Sequence, residues 1–402
     1  MLWQNLQKRW RLINGKWMKR LAIITTHPVQ YYAPLFRMLS QRGQIEVRVL
    51  YTWEKDAAEY DKDFGKKIEW DIPLLEGYDH VFVSNEGSFR RDFAGVKNPG
   101  LIREIESWGA DALWVYGWNY RSHLRAMRYF KGRIPVIFRG DSTLLDEKPG
   151  WKTLARRWFL RWVYRHVDMA LYVGSNNKKY YNVHGLRDDQ LMFAPHAIDN
   201  DRFFDTDGRY EQQARSRRRE LGIPEDGLLV VFVGKFQDKK DPLLLISAFE
   251  GLEEAGIHLL MVGDGELEQT MKHTAAPYKH IHFLPFQNQS AMPVIYRIGD
   301  VFCLPSRGPG ETWGLAVNEA MACGRPVLVS DRCGCAADLV QNGRNGYIFT
   351  SGDKAKLTEK LQTLLSQKHD LGEMGKVSAA IIQSWSYQCL APIVEKAMLS
   401  KL

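Results

Sequence analysis

No stretch of about 18 consecutive apolar residues occurs in this sequence of 402 residues, so it predicts no membrane-spanning helix. Cysteine is scarce: the five residues, an odd number, argue against a disulfide framework and are typical of a reducing compartment. A composition of 45% hydrophobic and 25% charged residues excludes a disordered or collagen-like chain. The apolar stretch 21–24 is too short for a signal peptide. We therefore expect a cytoplasmic globular protein.

Excess positive charge is confined to one half of the sequence. The net charge is +8; residues 1–200 contain 32 Lys and Arg against 22 Asp and Glu, whereas residues 201–402 contain 23 against 25. A basic surface of this kind is typical of proteins that contact nucleic acid, an anionic membrane or a phosphorylated substrate. The basic residues cluster in three segments: 1–20, 121–133 and 152–165.

Short apolar runs alternate with longer segments of helical periodicity along the chain, which indicates parallel α/β architecture. A chain of this length usually forms two domains. We therefore predict two Rossmann-like, doubly wound domains that face each other across a cleft, with ligands at the carboxyl ends of the strands. The predicted strands are 21–25, 47–51, 112–116, 135–139 and 170–174 in the first half, and 228–233, 258–262, 282–285, 301–305, 327–330 and 347–349 in the second.

The segment 1–17 is predicted to be a basic amphipathic helix. Its large apolar residues recur at steps of three and four and so share one helical face: Trp3, Leu6, Trp10, Ile13 and Trp17. Such a helix contacts a membrane surface. Alternatively, Met18 is the natural start, because it stands immediately before the first predicted strand.

The strongest functional signal is the segment 310–327, which follows a predicted strand and opens a helix. Glu311 and Glu319 are eight residues apart in it, and at about 100° per residue their side chains lie within about 80° of each other. The start of a helix presents N–H groups and a positive dipole, which favour a phosphate group. Carboxylates beside such a site accept hydrogen bonds from sugar or ribose hydroxyls. Alternatively, the pair is a favourable first-turn charge and a solvated side chain.

Two glycine turns precede this segment, each at the end of a predicted strand. After Gly234, Lys235 and Lys240 lie five residues apart and can converge on a diphosphate. Gly263 and Gly265 form a Gly-x-Gly turn one strand later. Each turn alone is weak evidence, since a lysine-rich loop is usually solvated. Together with the two glutamates, they predict one anionic-ligand site at this edge of the second sheet.

With these three motifs in this order, the second half resembles glycosyltransferase family 4, retaining transferases of the B-type fold. The resemblance rests on the turns at 234–240 and 263–265 and on the two glutamates, seven residues between them, before a small-residue helix that ends Gly-x-Pro-Val at 324–327. It covers roughly 195–350, and more loosely 26–31. It implies transfer of a sugar from a nucleoside-diphosphate sugar, without a cofactor and with retention of the anomeric configuration. From the basic first half and the N-terminal aromatic face we expect docking on the inner face of a membrane and a saccharide or polyprenyl-linked acceptor, in cell-surface polysaccharide or glycolipid synthesis.

The resemblance also implies a role for each motif residue. Lys235 and Lys240 bind the donor diphosphate, and Glu311 contacts hydroxyls of the donor sugar. Glu319 holds the ribose, and Phe286 lies where this family packs the base. The other implied donor-binding positions are Gly234, Gly263, Gly265, Thr312, Gly314, Leu315 and Ala316. The implied domains are 18–200 for the acceptor, 201–385 for the donor and 386–402 as a C-terminal helix that returns to the first domain.

Three positions depart from the family pattern. Lys235 stands where many relatives have Arg, so the charge is kept while bidentate geometry is lost. The loop after the first strand begins with His27 instead of a glycine-rich turn; His27 is either an acceptor-side residue or a capped structural histidine. Where a histidine often follows the fourth strand, Asp141 or Arg139 is the candidate replacement. The candidate catalytic residues are therefore Glu311, Lys235, Lys240, His27 and Asp141.

No metal site is predicted. Asp61 and Asp63 form an Asp-x-Asp pair, but no predicted strand leads into it, so we expect a solvated loop. Cys333 and Cys335 have no neighbouring histidine and too few partners for the four ligands of a metal site, so we interpret them as structural thiols.

Other functions remain open. A sugar-nucleotide epimerase of the same fold would cleave and rebuild its own donor without an acceptor, and a glycogen-phosphorylase-like enzyme would need a cofactor lysine that the sequence does not reveal. A nucleic-acid-binding or polysaccharide-binding protein would use the basic first half, but no recognised nucleic-acid module occurs. We therefore expect as partners a nucleotide sugar, the acceptor and an anionic membrane surface, and no nucleic acid.

Overall fold

The computed structural model describes residues 11–13, 16–53, 60–61, 66–87, 92–252 and 256–399. The chain forms two compact units of similar size. The first runs to Pro195 and includes the C-terminal residues from Tyr387, while the second comprises residues 196–386. The division therefore lies at Pro195, five residues before the boundary that the sequence predicts.

The first unit is built on a sheet of seven parallel strands in the order β10-β9-β8-β7-β2-β3-β6, with β1 antiparallel to β2. The central strands carry runs of fully buried side chains, as expected for a parallel sheet covered on both faces. The strands are β1 (Arg11–Ile13), β2 (Lys16–Thr25), β3 (Ile45–Tyr51), β4 (Tyr60–Asp61), β5 (Lys66–Lys67), β6 (Asp79–Phe82), β7 (Ala112–Tyr116), β8 (Val136–Arg139), β9 (Met169–Tyr172) and β10 (Leu191–Phe193).

Helices connect the parallel strands of this sheet. Because the chain steps from β6 to β7, β8, β9 and β10 in one direction, α2 to α5 share one face of the sheet, where their apolar residues form a single core cluster. The helix between β2 and β3 steps the other way and covers the opposite face. The helices are α1 (Ala33–Arg42), α2 (Leu101–Trp108), α3 (Arg121–Phe130), α4 (Trp151–Tyr164) and α5 (Ser175–Val183).

The C-terminal helix, Tyr387–Leu399, packs within the first unit. Its buried Glu395 accepts two hydrogen bonds from the Arg42 guanidinium, at 2.7 and 2.9 Å. The hydroxyl of Tyr387 donates to the carbonyl of Tyr31 at 2.8 Å. A bidentate ion pair and a buried apolar face thus fix this helix to β2 and α1.

The predicted N-terminal helix is wrong where the structure describes it. Arg11–Ile13 and the start of β2 are antiparallel strands, with Ile13 opposite Lys16. Residues 1–10 lie outside the described residues. The two residues between the strands are Asn14 and Gly15, and Asn-Gly between apolar runs is the strongest short hairpin signal in a sequence. That local signal outweighs the helical spacing of the aromatic residues.

The second unit is a six-stranded parallel sheet in the order β13-β12-β11-β14-β15-β16. Its strands are β11 (Leu228–Val233), β12 (Ile257–Val262), β13 (Ile281–Leu284), β14 (Val301–Leu304), β15 (Val327–Ser330) and β16 (Gly346–Phe349). Its helices are α6 (Asn200–Phe203), α7 (Arg209–Glu220), α8 (Pro242–Ala248), α9 (Glu268–Ala275), α10 (Met292–Ile298), α11 (Leu315–Ala322), α12 (Ala336–Leu339), α13 (Lys354–Ser366) and α14 (Leu371–Ile382).

The prediction of two doubly wound α/β sheets is confirmed, and every predicted strand is present within two residues of its predicted ends, apart from β2, which begins five residues earlier. The predictions missed β6 and β10, because edge strands with partly exposed side chains lack the continuous apolar run of a central strand. Within the part of the chain described above, no helix has both the length and the apolarity needed to cross a membrane.

Candidate active site

The predicted donor residues lie in loops at one edge of the second sheet. Because β11, β12, β13 and β14 are parallel neighbours, the loops that follow them all leave the sheet at its carboxyl edge. Lys235 is the second residue after β11 and is half-buried, and Phe286 is the second residue after β13 and is also half-buried. The topology therefore places the predicted motifs side by side, although they are spread over about 85 residues of sequence.

The Gly-x-Gly turn is packed against the loop after β11. A Cβ atom on Gly263 would lie 2.0 Å from the carbonyl oxygen of Gly234, and one on Gly265 would lie 2.7 Å from that of Phe236. Both glycines have positive φ, 146° and 150°. The Phe236 N–H donates to the carbonyl of Asp264 at 2.8 Å, which joins the two loops. Close backbone contact thus requires both glycines, whether or not a ligand is bound.

Lys240, Glu311 and Ser306 form the charged centre of this edge. Lys240, at the end of a 3₁₀ turn, is paired with Glu311. Its Nζ donates to Oε2 of Glu311, and the Ser306 hydroxyl donates to the same oxygen at 2.8 Å. Glu311 is only 8% exposed. Burial works to raise its pKa, but the Lys240 charge and the two hydrogen bonds outweigh burial and lower it, so Glu311 is an anion at neutral pH.

Arg307 ties the Lys240 turn to the loop after β14. Its guanidinium pairs with Asp238, and its backbone N–H donates to the carbonyl of Lys239 at 3.0 Å. The hydrogen bond from Arg307 lowers the pKa of Asp238, which keeps this pair ionised at neutral pH. The two loops that carry Lys240 and Glu311 are therefore connected by both backbone and side chains.

The loop that carries Glu311 leads directly into α11. Gly314 caps the helix in the left-handed conformation, with φ of 99°, and Leu315 is the first helical residue. Thr312, Leu315 and Ala316 are half-buried around this turn. Helix geometry leaves the first N–H groups without intrahelical acceptors, so these groups can donate hydrogen bonds to an anionic group bound at this terminus.

Glu319 lies within α11 itself and is held by a tyrosine that the sequence did not reveal. The Tyr296 hydroxyl, on α10, donates to Oε2 of Glu319 at 2.6 Å, and Glu319 is 2% exposed. The carboxylate is therefore oriented from outside its own helix. No sequence motif links these residues, because 23 positions separate them and only the packing of α10 on α11 brings them together.

The segment that contains the two neighbouring cysteines supports the Glu311 loop from behind. The Gly334 N–H donates to the carbonyl of Glu311 at 3.2 Å, and that of Cys335 donates to the carbonyl of Trp313 at 3.0 Å. A Cβ atom on Gly334 would lie 1.7 Å from the carbonyl oxygen of Thr312. Cys333 and Cys335 are buried, and burial raises the pKa of both thiols, so they pack here as neutral groups.

Trp313 is fixed by a second set of contacts. Its Nε1 donates to Oδ1 of Asn318 at 2.8 Å, and Nδ2 of Asn318 donates to the carbonyl of His196 at 2.8 Å. The Trp313 ring lies 5.6 Å from that of His196 and 5.0 Å from that of Trp385. These contacts join the Glu311 loop to both ends of the second unit, which explains why a tryptophan stands between the two motif residues.

In the first unit, His27 follows β2 and is held by its neighbours. Its ring stacks on Trp53 at 4.4 Å with an angle of 3° between the planes, and its Nδ1 lies 2.8 Å from the Thr26 hydroxyl. The sequence left two roles open for His27, and contacts of this kind are what we expect if its role is structural. Asp141 is half-buried after β8, in the electrostatic environment of Tyr32, whose pKa is raised mainly by burial.

Arg139 has a structural role. Its guanidinium is 4% exposed and donates to the carbonyls of Ala194 and Pro195, at 3.0 and 2.9 Å. These bonds hold the backbone at the end of the first unit. Arg139 and Asp141 were the two candidate replacements for the family histidine, and the guanidinium of Arg139 is already used in these structural bonds. Asp61 lies in the two-residue strand β4, while Asp63 lies outside the described residues.

His123, on α3, is a buried histidine that sequence reasoning missed. Its Nε2 accepts from the Thr52 hydroxyl at 2.9 Å, and its Nδ1 donates to the carbonyl of Gly117 at 3.0 Å. Burial lowers the pKa of His123 to about 4, although the bonds to backbone carbonyls oppose this. The imidazole is therefore neutral at pH 7 and supports the loops after β3 and β7.

Acidification should destabilise the chain through His123. The unfolded histidine binds a proton near pH 6.5, whereas the folded one does so only near pH 4, so between these values protons favour the unfolded state. Between pH 7 and 4.5 we expect a loss of about 2.5 kcal/mol from this residue. Urea unfolding at both pH values should show a smaller pH dependence for His123→Gln than for the parent. The pKa of His282 is also lowered to about 4, but His282 is present in both proteins and contributes equally to both. An equal pH dependence of the two proteins would therefore contradict the assignment of this effect to His123.

Comparison with known proteins agrees with this arrangement. Residues 213–379, which contain the Lys240, Glu311 and Glu319 motifs, match the profile of the family described as glycosyl transferases group 1. This match lies within the second unit. The resemblance drawn from the sequence is thus confirmed, and the motifs lie in the region that the family shares.

Two curated relatives extend the comparison. A phosphatidyl-myo-inositol mannosyltransferase of Mycobacterium leprae is 33% identical over 147 residues, which cover 36% of this chain and 39% of the relative. The sulfoquinovosyl transferase SQD2 of Arabidopsis thaliana is 28% identical over 321 residues, 79% of this chain and 58% of the relative. The chain thus spans about half the length of the curated glycosyltransferases it matches.

A solved structure shows the fold of the whole chain. Anabaena HepE, crystallised with UDP and glucose, superposes with a TM-score of 0.69 over 96% of this chain and 100% of HepE, at 16% sequence identity. At that identity the likeness concerns the fold alone. It confirms the two-domain, B-type glycosyltransferase architecture that the motif order predicts.

Proposed function

We propose that this chain is a glycosyltransferase that moves a sugar from a nucleoside-diphosphate sugar to a saccharide or lipid-linked acceptor. The observation that carries the proposal is the Lys240–Glu311–Ser306 cluster at the start of α11. It combines a fixed cation, an oriented carboxylate and a helix N-terminus, which are the groups that a sugar diphosphate needs. HepE was crystallised with UDP and with UDP-glucose, which supports a donor of this class.

The chemistry we propose follows from charge. Breaking the bond between the anomeric carbon and the diphosphate oxygen leaves new negative charge on the diphosphate. Lys235, Lys240 and the first N–H groups of α11 would stabilise that charge as it develops, without a metal ion. Glu311 would hold hydroxyls of the transferred sugar. Retention of the anomeric configuration, by attack on the same face, is what family resemblance implies.

We further propose that the acceptor is a saccharide or a polyprenyl-linked lipid and that the enzyme acts at the inner face of a membrane. The mannosyltransferase relative is named for a lipid, phosphatidyl-myo-inositol, and another solved structure with this fold, WaaG, is involved in lipopolysaccharide biosynthesis. The charge excess of the first half, 32 basic against 22 acidic residues, fits an anionic surface or substrate.

The proposal is tested by release of nucleoside diphosphate from a panel of UDP-, GDP-, ADP- and TDP-sugars, with and without chelator. We expect slow hydrolysis of one donor, unchanged by chelator and lost in Glu311→Ala. A reaction that interconverts two sugar nucleotides without releasing diphosphate would instead identify an epimerase. No reaction, and no thermal shift with any free nucleotide, would contradict the proposal and leave a binding function.

Tyr296→Phe should weaken binding of the free nucleoside diphosphate by about tenfold, because Glu319 loses a charge-assisted hydrogen bond that orients it toward the ribose. Tyr296 acts here as a positioning residue. The dissociation constant is measured by calorimetry, and the melting temperature is measured in parallel.

Tyr347→Phe is the matched control, since Tyr347 donates a similar bond, at 2.8 Å, to Gln367 in the same unit. Both variants lose one hydroxyl, so a merely structural effect would lower the melting temperature of both alike. Equal affinity of Tyr296→Phe and the parent would show that Glu319 needs no orientation from Tyr296.

A further inference from the structure

Helix α4 exposes an unusual amount of apolar surface. Among the described residues, seven large hydrophobic side chains are exposed, and four of them lie on this helix. Trp151 is 74% exposed, Leu154 66%, Trp158 77% and Phe159 40%. An exposed cluster of two tryptophans with leucine and phenylalanine is typical of an interaction site, whereas single exposed apolar residues are ordinary.

The helix is apolar on two opposite faces. At about 100° per residue, Trp151, Leu154 and Trp158 fall within an arc of about 60°. Leu160 and Val163, which are fully buried in the core of the first unit, point to the other side. Burial against the sheet therefore accounts for one face only, and the outer face is built for a second apolar environment.

The exposed face is bordered by positive charge. The 14 residues of α4 include no Asp or Glu. Arg165, the residue that follows the helix, falls within the apolar arc, Arg161 lies about 20° outside it on one side and Lys152 about 100° outside it on the other; all three are exposed. On the neighbouring helix α3, Arg128 is also exposed and places its guanidinium 5.4 Å from the Trp162 ring. Long basic side chains around an aromatic face can extend to anionic groups while the rings insert.

We propose that α4 docks this protein on an anionic lipid bilayer, with Trp151, Leu154 and Trp158 inserted at the interface. Tryptophan prefers the level of the lipid headgroups, and basic residues beside it bind anionic lipids. A second copy of this chain would bring like charges together. A nucleic acid would leave Leu154 in water. The inference deepens the proposed function, because it assigns the surface from which a lipid-linked acceptor would be reached.

The test is sedimentation of the full chain with vesicles. Phosphatidylcholine vesicles with about one third phosphatidylglycerol should bind the parent at low salt, and vesicles of phosphatidylcholine alone should bind it much less. Trp151→Ala/Trp158→Ala should lower the partition coefficient at least about tenfold, since two large apolar groups no longer leave water. Arg161→Glu/Arg165→Glu should abolish the preference for anionic vesicles.

Phe193→Ala is the matched control: Phe193 is 39% exposed in the same unit but lies on β10, and its loss should leave vesicle binding unchanged. Circular dichroism shows whether each variant folds. Equal binding by the parent and the double tryptophan variant, or no binding by the parent, would overturn the proposal. A dimer in sedimentation that disappears in the tryptophan variant would assign the face to a second copy instead and would also overturn it.

Donor hydrolysis without lipid separates this inference from the proposed function. The double tryptophan variant should hydrolyse the donor at the parent rate, because α4 belongs to the other unit from Lys240 and Glu311. A parent that binds vesicles but hydrolyses no donor would retain the docking surface and reject the enzyme. A parent that hydrolyses a donor but does not bind vesicles would retain the proposed enzyme and reject the docking surface.

Discussion

Lys240→Met is expected to lower turnover of the nucleoside-diphosphate sugar by about 10²–10³-fold, the usual effect of removing one fixed group that stabilises developing negative charge. Lys240 reaches Glu311 at the start of α11, where the diphosphate is proposed to bind. The measurement is kcat for diphosphate release with the donor that the panel identifies. Lys239→Met is the matched control, since it removes an adjacent lysine of the same 3₁₀ turn and should change kcat little.

A double variant separates catalysis from charge compensation. Lys240→Met alone leaves the buried Glu311 unpaired, which should cost about 3–5 kcal/mol of stability and raise the pKa of Glu311. Lys240→Met/Glu311→Gln removes both charges and should recover most of that stability but none of the activity. Recovery of activity would show that Lys240 serves only to neutralise Glu311.

The ion pair also has a pH signature. The pKa of Glu311 is lowered in the folded state, so the pair contributes stability above the unfolded value, about pH 4.3, and this contribution is lost as the pH falls through the folded pKa. The double variant should lack this acid-sensitive part of the unfolding free energy. Urea unfolding at pH 7 and at pH 3 compares the two proteins.

Gly263→Ala should destabilise the second unit by about 3 kcal/mol or more and abolish nucleotide binding. A methyl group at this position would lie 2.0 Å from the carbonyl oxygen of Gly234, and φ of 146° is already a conformation that other residues rarely adopt. The backbone of one loop must therefore move, and with it the turn that carries Lys235. Chemical unfolding and a nucleotide thermal shift measure both effects.

Gly222→Ala is the matched control, because Gly222 also has positive φ, 68°, but a Cβ atom there meets no atom within 4 Å. It should cost only the left-handed conformation, about 1–2 kcal/mol, and leave nucleotide binding intact. Equal destabilisation by the two variants would show that conformation, and not the contact with Gly234, makes Gly263 necessary.

The local sequence pattern was sufficient to predict the central strands of both sheets but not the edge strands. Strands such as β11 and β15 were predicted to the residue, because a strand buried on both faces is a continuous apolar run bounded by glycine or polar residues. The edge strand β10 has no such run. At the N-terminus the aromatic spacing favoured a helix, but the Asn-Gly pair between Ile13 and Lys16 was the better signal, since a two-residue turn joins antiparallel strands.

The residues of the site likewise divide into those that the local sequence reveals and those that it does not. Glu311, Lys240 and the two glycine turns were found because each lies where a parallel strand ends, and such positions meet at one edge of a sheet. One partner had a signal: Ser306 is a polar residue two positions after β14. Tyr296, Gly334 and His123 had none, because their partners are distant in the sequence.

The sequence by itself determined the two parallel sheets, the order of the three motifs and the family resemblance of the second unit, all of which depend on periodicity and spacing along the chain. Only the tertiary structure decided which groups meet. It paired Lys240 with Glu311, Tyr296 with Glu319 and Gly334 with Thr312. It also left one apolar face of α4 exposed. The physical reason is that burial, ion pairing and close backbone contact depend on residues that folding brings together from distant positions, and local sequence does not specify them.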